Sequence, residues 1–429
     1  MNLWLESALA RAGQGIPADC LAPLRQVSLA KLENTPWPTR KTEAWKYTSL
    51  KTLERLQLAN QTSSALFGSD QNPELALDRI AITWQGGKRV TDLCNLTLPA
   101  GLSIKTVAEL SEQESQWVSN TFSSVKPTQH LFGLVNDVLA QDVLVIDVEA
   151  GVEIAQPVHI DHQAIASVEG HCRVLVRVAD NAKLTVLETY QSLPTQAATA
   201  HSFNTNVVEY QLGVSAKLEH YRIDLQTGTA LSVGGCHVAL AEKAQLNSTL
   251  VGLGSELART DFDIIHRGEF ADAKLNAIYL LKDQECFDLH ATVEHTVPNG
   301  TTLENVRGIA ADQAKATFNG RIHIHRDAQK TLAELNNRNL LLSDKAQINT
   351  KPELEIYADD VRCAHGATVA ELDKQALYYL TSRGVSRNDA LVMLNFGFIN
   401  ALVDDMPNQD IAQWLRPILR DRFKEMAKS

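Results

Sequence analysis

The sequence predicts a mainly-β protein whose central stretch is a solenoid of stacked coils, flanked by helical regions at both ends. Three observations carry this: a long run of short β-branched segments, a degenerate internal repeat, and three- and four-residue apolar spacing confined to the termini. The strand-like segments begin at Val143-Leu-Val-Ile-Asp-Val148, followed by Val174-Leu-Val-Arg-Val178 and Leu184-Thr-Val-Leu-Glu-Thr-Tyr190. Their β-branched residues suit a pleated surface. Between them recurs a small turn cue, Ala-Lys/Gln-Leu or a close variant, at Ala182, Ala216, Ala244 and Ala273, with spacings of 34, 28 and 29 residues. Ala314, Ala328 and Ala346 follow at steps of 14 and 18, near half that interval. A period of this size with strand–turn–strand content suggests coils that bury their apolar faces only by stacking. A large antiparallel sandwich also gives short strands at regular spacing and stays open.

The chain divides into residues 1–142, helical and mixed; 143–370, the β core; and 371–429, helical. In the first region Leu3, Leu5, Leu9, Leu21, Leu24, Val27 and Leu32 recur at helical steps. That pattern stops at Pro36-Trp37-Pro38, since a helix interior rejects proline. Leu77 to Trp84 reads as a strand, and Val107–Val118 and Leu131–Leu139 as helices. In the last region Gln375–Arg383 is a helical run with Gly384 as its C-terminal cap. Ser386-Arg-Asn-Asp389 has the spacing of a capping box with Asp in place of Glu. A final helix aligns Ile411, Trp414, Leu415, Ile418 and Phe423, with a kink expected at Pro417.

Bulk properties exclude several function classes. Over 429 residues, 44% hydrophobic and 21% charged content is that of a globular protein with a large core. A net charge of −11 argues against a broad nucleic-acid-binding surface. No apolar run reaches membrane-spanning length. The start, Met-Asn-Leu-Trp-Leu-Glu, lacks the basic and apolar parts of a secretory signal. Six scattered cysteines with no Cys-x-x-Cys are cytosolic usage, so a cytoplasmic protein is expected.

Candidate chemistry is sparse. No phosphate loop is present, and Gly86-Gly87-Lys88 lacks the required spacing. Gly252-Leu-Gly254 is a fragment of a dinucleotide fingerprint, and no nucleophile elbow occurs. His323-Ile-His325 is a strand-spaced imidazole pair, as in cupin metal sites. Arg321 and Arg326 disfavour a dication there, and the local sequence offers no third ligand. Cys286, Asp288, His290 and His295 form a loose group for which a structural role is the plainer reading. Asp359-Asp360 would face opposite ways in a strand, so they do not share a proton. Cys363 and His365 stand two apart at the end of an alternating segment, Leu354, Ile356, Val361, and so project on one face. Gly366 follows, where a backbone turns sharply or approaches another chain. A thiol beside an imidazole suits zinc, iron, an iron–sulfur cluster or a nucleophile–base pair; a buried structural pair is the plainer alternative.

Pro38-Thr-Arg-Lys-Thr-Glu-Ala-Trp-Lys-Tyr-Thr48 resembles the amino-terminal signature of the SufB/SufD family of iron–sulfur cluster assembly proteins. Lys351-Pro-Glu-Leu-Glu-Ile-Tyr-Ala-Asp-Asp-Val-Arg-Cys-Ala-His-Gly-Ala-Thr368 and Tyr379-Leu-Thr-Ser-Arg-Gly384 resemble its carboxy-terminal one. Phe318-Asn-Gly320 and Asn336-Asn-Arg-Asn-Leu-Leu-Leu-Ser343 resemble landmarks between them. Cys-x-His-Gly-Ala-Thr and the length are similar to the SufD-like members; Ala370 departs from their usual glycine. The resemblance implies a right-handed parallel β-helix and a scaffold without catalytic activity of its own. It also implies pairing with SufB, and attachment of the ATPase SufC through residues 371–429, with Tyr379, Arg383, Leu391, Leu394 and Phe398 as contact candidates. His365, and less directly Cys363, become candidate ligands of iron or a transient cluster at the SufB interface. One thiol and one imidazole are too few for a closed site, so further ligands come from the partner. No cofactor is expected to stay tightly bound to the isolated chain, which has homodimerisation as a further possibility. Two other classes are weighed against this reading: a secreted-type β-helix enzyme acting on polysaccharide, and a cupin-like metalloprotein using His323 and His325.

Overall fold

The computed structural model describes residues 2–56, 58–60, 75–127, 130–193 and 200–427. From Val143 onward successive strands alternate between two ten-stranded sheets, and each pairs in parallel with the strand two places later. Down one sheet the register mates Lys183, Lys217, Gln245, Asp272, Thr301, Leu332 and Arg362 step by 34, 28, 27, 29, 31 and 30 residues. This is a parallel solenoid, and the antiparallel sandwich is set aside. Both sheets begin before residue 143, with Ile80–Gln85 in one and Leu102–Thr106 in the other. At that end the stack is closed by antiparallel partners.

The repeated alanines are coil corners. The amides of Ala182, Ala216 and Ala244 donate to the carbonyls of Ala179, Gly213 and Ala241 across four-residue turns. The third residue of each turn, Asn181, Ser215 and Lys243, has φ near +58°. The turn points the alanine into the stack, where all three are buried, so only a small side chain fits. Ala314 and Ala346 occupy corresponding corners before strands of the other sheet. Ala273 lies one residue inside its strand, and Ala271 takes the corner there. Alternate strand residues fill the interior, as with Phe287, Leu289, Ala291 and Val293, then Phe318, Ile322 and Ile324.

The outer faces are covered by the two ends of the chain. Helices Leu3–Gln14, Ala22–Asn34 and Leu131–Leu139 lie on the first sheet, where Trp4, Trp45 and Phe132 pack on Phe203, Leu231 and Leu257. Val107–Val118, expected as one helix, splits into a 3₁₀ turn and helix Glu112–Thr121. Ser111 and Glu114 form a capping box that restarts the helix. Helices Arg387–Asp404 and Gln409–Met426 cover the second sheet, with Ile399, Leu402, Leu415, Leu419 and Phe423 on Ile223, Val251, Ile278 and Leu280. The last helix is continuous through Pro417. Gly384 caps helix Lys374–Ser382 with φ +87°, and Val385 N–H reaches back to Leu380. Asp389 forms half a capping box. Its amide donates to Ser386 Oγ, but its carboxylate, one methylene shorter than Glu, accepts from that hydroxyl.

Candidate functional site: the open end of the solenoid

The last coil is left uncovered. Strands Gln347–Ile356 and Arg362–Glu371 terminate their sheets, and each pairs along one edge only. Helices Arg387–Asp404 and Gln409–Met426 pack on a face of the stack, and helix Lys374–Ser382 buries no residue, so no described residue caps its end. Ten-residue strands with one free edge are a template for another chain, which proteins ordinarily cover or disrupt.

Cys363 and His365 sit at this mouth, on the same face as each other, as expected. The continuous alternating segment is corrected, however. Leu354 and Ile356 end one strand, the chain turns a corner at buried Ala358, and Cys363 lies one residue into a strand of the opposite sheet. Gly366 makes no turn; it lies extended within the strand with open space where a side chain would stand. The register mates of Cys363 and His365 are Ala333 and Leu335, both buried in the solenoid core, so the pair faces the interior rather than the outside. His365 is exposed and hydrogen-bonds to no described residue. Cys363 is half-buried, and burial raises its thiol pKa, opposed in part by the Ala333 backbone. Around them Ile348, Leu354, Ile356 and Val369 form a partly exposed apolar rim. An imidazole open to solvent and a thiol inside an apolar rim offer two ligands and leave the others to a second surface.

Behind the mouth stands Glu304. It is two rungs inward from His365 in the same column, with Leu335 between. It is fully buried, neither carboxylate oxygen has a partner, and burial lifts its pKa to about 8. Only the strand's inward phase, shared with Thr302 and Val306, hinted at this.

A second donor cluster lies deeper: Glu188, His220 and Cys236 are buried with donor atoms within 4.8 Å of one another. Glu188 accepts from His220, Arg222, Tyr190 and Tyr210, which leaves its lone pairs occupied. A guanidinium already neutralises it, and burial drives the Cys236 thiol well up. This is a satisfied ion pair rather than a metal site.

The other candidates separate. His323 and His325 stack side by side but on the outer face of the sheet, with no barrel around them, so the cupin-like arrangement is corrected. Asp359 and Asp360 lie in the corner bend rather than in a strand. Asp288 and His290 face outward beneath the amino-terminal signature, whereas His295 faces inward and stacks on His266. The signature is thereby explained. Trp45 lies over the Arg259 guanidinium at 4.0 Å, Thr48 donates to Asp288, and Glu43 pairs with Lys351. The buried Arg259 also bridges Asp261 and Asp288, each held below the usual carboxylate range by that charge against the cost of burial. The exposed Glu43–Lys351 pair adds little; packing of Trp45, with truncations of such residues costing about 3–5 kcal/mol, dominates.

Of the predicted partner contacts, Tyr379 and Arg383 are exposed and stacked at 5.3 Å, beside exposed Tyr378. Leu391 and Leu394 are half-buried, and Phe398 packs partly on the chain's own core.

The profile of the SUF system FeS cluster assembly SufBD core domain matches residues 162–398, more than half of the chain. The chain belongs to the SufB/SufD family. It is 27% identical over 414 residues to a SufBD family protein of Synechocystis, covering 94% of this chain and 91% of that one. To the iron–sulfur cluster assembly protein SufD of Escherichia coli it is 29% identical, covering 91% and 90%. To SufB of Bacillus subtilis it is 24% identical, covering 70% and 64%. A role in iron–sulfur cluster assembly follows from membership of this family. No helix among the described residues is long and apolar enough to cross a membrane.

Proposed function

We propose that this chain is the non-ATPase scaffold subunit that joins its open coil end to a SufB-type partner, the two solenoid ends together holding iron or a nascent cluster as cargo. The observation that carries the reading is the uncapped last coil with Cys363 and His365 inside its rim. His365 is the principal ligand from this side because it is exposed and uncommitted, whereas the Cys363 thiol holds its proton more tightly than usual. An incomplete ligand set makes the bound cluster releasable, as transfer to an apoprotein requires. The exposed helix Lys374–Ser382, with Tyr378, Tyr379 and Arg383 near its end, is the proposed seat of the ATPase SufC, with Leu391 and Leu394 extending it. In the partner's absence the same open end would offer its free strand edges to a second copy of the chain.

The test is reconstitution with the partner and ATPase subunits. His365→Ala is expected to leave complex formation intact and lower cluster yield severalfold, read from visible absorption and iron and sulfide content. Wild-type yield with this variant would refute the ligand role.

A further inference from the structure

Arg307 and Arg338 are register mates on adjacent coils and face outward from the second sheet, in a column that runs from Ile278 to Thr368. Rungs of a sheet are about 4.8 Å apart, so the two positive side chains rise side by side. Like charges directly opposite on neighbouring strands destabilise a sheet. Among the described residues no carboxylate lies within ion-pair distance of either guanidinium. Arg307 Nη1 donates to the Val306 carbonyl at 3.2 Å, and Arg338 Nε donates to Asn336 Oδ1 at 3.3 Å. These neutral acceptors leave both charges uncompensated. Arg307 is half-buried, and burial, with the Arg338 charge adding to it, pulls its pKa down. Composition does not force this arrangement, because acidic residues outnumber Lys and Arg by 51 to 40. The column also divides the Asn336-Asn-Arg-Asn339 segment. Asn337 and Asn339 turn inward and bond to each other, whereas Asn336 and Arg338 turn outward.

Beyond Arg338 the outer face of the last strand is Ala364, Gly366, Thr368 and Ala370, all exposed, and a side chain at Gly366 would meet open space. These small residues make a flat shelf from the arginines to the free strand edge, where another backbone can approach closely. Thr368, the register mate of Arg338, is too short to screen it from a segment lying on the shelf. A free inorganic anion would meet these guanidiniums at the surface, where salt screening leaves little attraction. A protein segment brings its carboxylate together with contact along the shelf.

We propose that Arg338, with Arg307 behind it, recognises a carboxylate on an acidic segment of the subunit docked at the open end. The inference rests on the docking proposed above and adds the chemistry of the segment on the outer side of the rim. A guanidinium offers a carboxylate two parallel N–H groups, and the bound carboxylate relieves the repulsion between the arginines.

The full-length chain would be titrated with a SufB-type partner by calorimetry, from about 0.05 M to about 0.5 M salt. Arg338→Gln should weaken association at least tenfold at low salt and little at high salt, which flattens the salt dependence. Arg338→Glu should weaken it further. The free Arg338→Gln chain should melt no lower than wild type, since the substitution removes a repulsion and no ion pair. Wild-type affinity and salt dependence in Arg338→Gln, with pairing still lost in the rim variant Ile356→Lys/Val369→Lys, overturns this inference and leaves the docking reading standing. Wild-type pairing in both variants overturns both. A lowered melting temperature in the free Arg338→Gln chain would show that the arginines serve the fold, and also overturns the inference.

Discussion

At Glu304 the solenoid holds a carboxyl with no hydrogen-bond partner in an interior of leucine, phenylalanine and alanine. Burial raises its pKa from 4.5 to about 8, so the folded chain keeps the proton at pH values where the unfolded chain has released it. The unfolded state then binds fewer protons, and stability falls as pH rises from about 4.5 to about 8, levelling above that. The effect is on the order of a few kcal/mol. Glu304→Gln is expected to flatten this decline and raise the melting temperature at pH 8 relative to wild type, as thermal unfolding across pH would show. An equal pH slope in both proteins would mean that the carboxyl is solvated. The contrast with Glu188 is instructive. Both are inward-facing and fully buried, yet Glu188, supported by Arg222 and three further donors, has its pKa pulled well down.

In the proposed function, the two last strands and the helix after them are the elements that carry partner binding. Their side chains contribute little to the chain's own core, so changes there should separate binding from stability. Ile356→Lys with Val369→Lys places charge on the apolar rim at positions that are 41% and 44% exposed. The expected outcome is an unchanged melting temperature and loss of the SufB-type partner in co-purification. Retained pairing would show that the partner docks elsewhere. Tyr379→Ala with Arg383→Glu is expected to weaken SufC-type ATPase binding at least tenfold, measured by calorimetry, without loss of helicity. Deleting residues 371–429 is a poorer test than it looks from sequence. It would strip Leu415, Leu419 and Phe423 from Ile278 and Leu280, and remove Arg422 from the carbonyls of Leu253 and Leu280.

For the whole molecule, the two helical ends cover the outer faces of opposite sheets, and the stack is closed at its start but open at its finish. The consequence is a one-sided solenoid, with covered outer faces and a single uncovered coil. Helical spacing, proline and glycine signals and the alanine cues are local, so Leu131–Leu139, the Gly384 cap and the coil period were legible from residues alone. The break between Ile356 and Cys363 was not, because an apolar alternation reads the same on either side of a corner. Nor could the signature around Trp45 explain itself, since its partners Arg259, Asp288 and Lys351 lie more than two hundred residues away. The sequence by itself determined the strand content, the repeat, the helical ends and the same-face pairing of Cys363 with His365, because each follows from spacing along one segment. Only the tertiary structure decided parallel stacking over a sandwich, the inward aim of that pair at an open end, the isolation of Glu304 and the meeting of Arg307 with Arg338. Those depend on which coil lies against which, and the register between coils is set by packing across the whole stack.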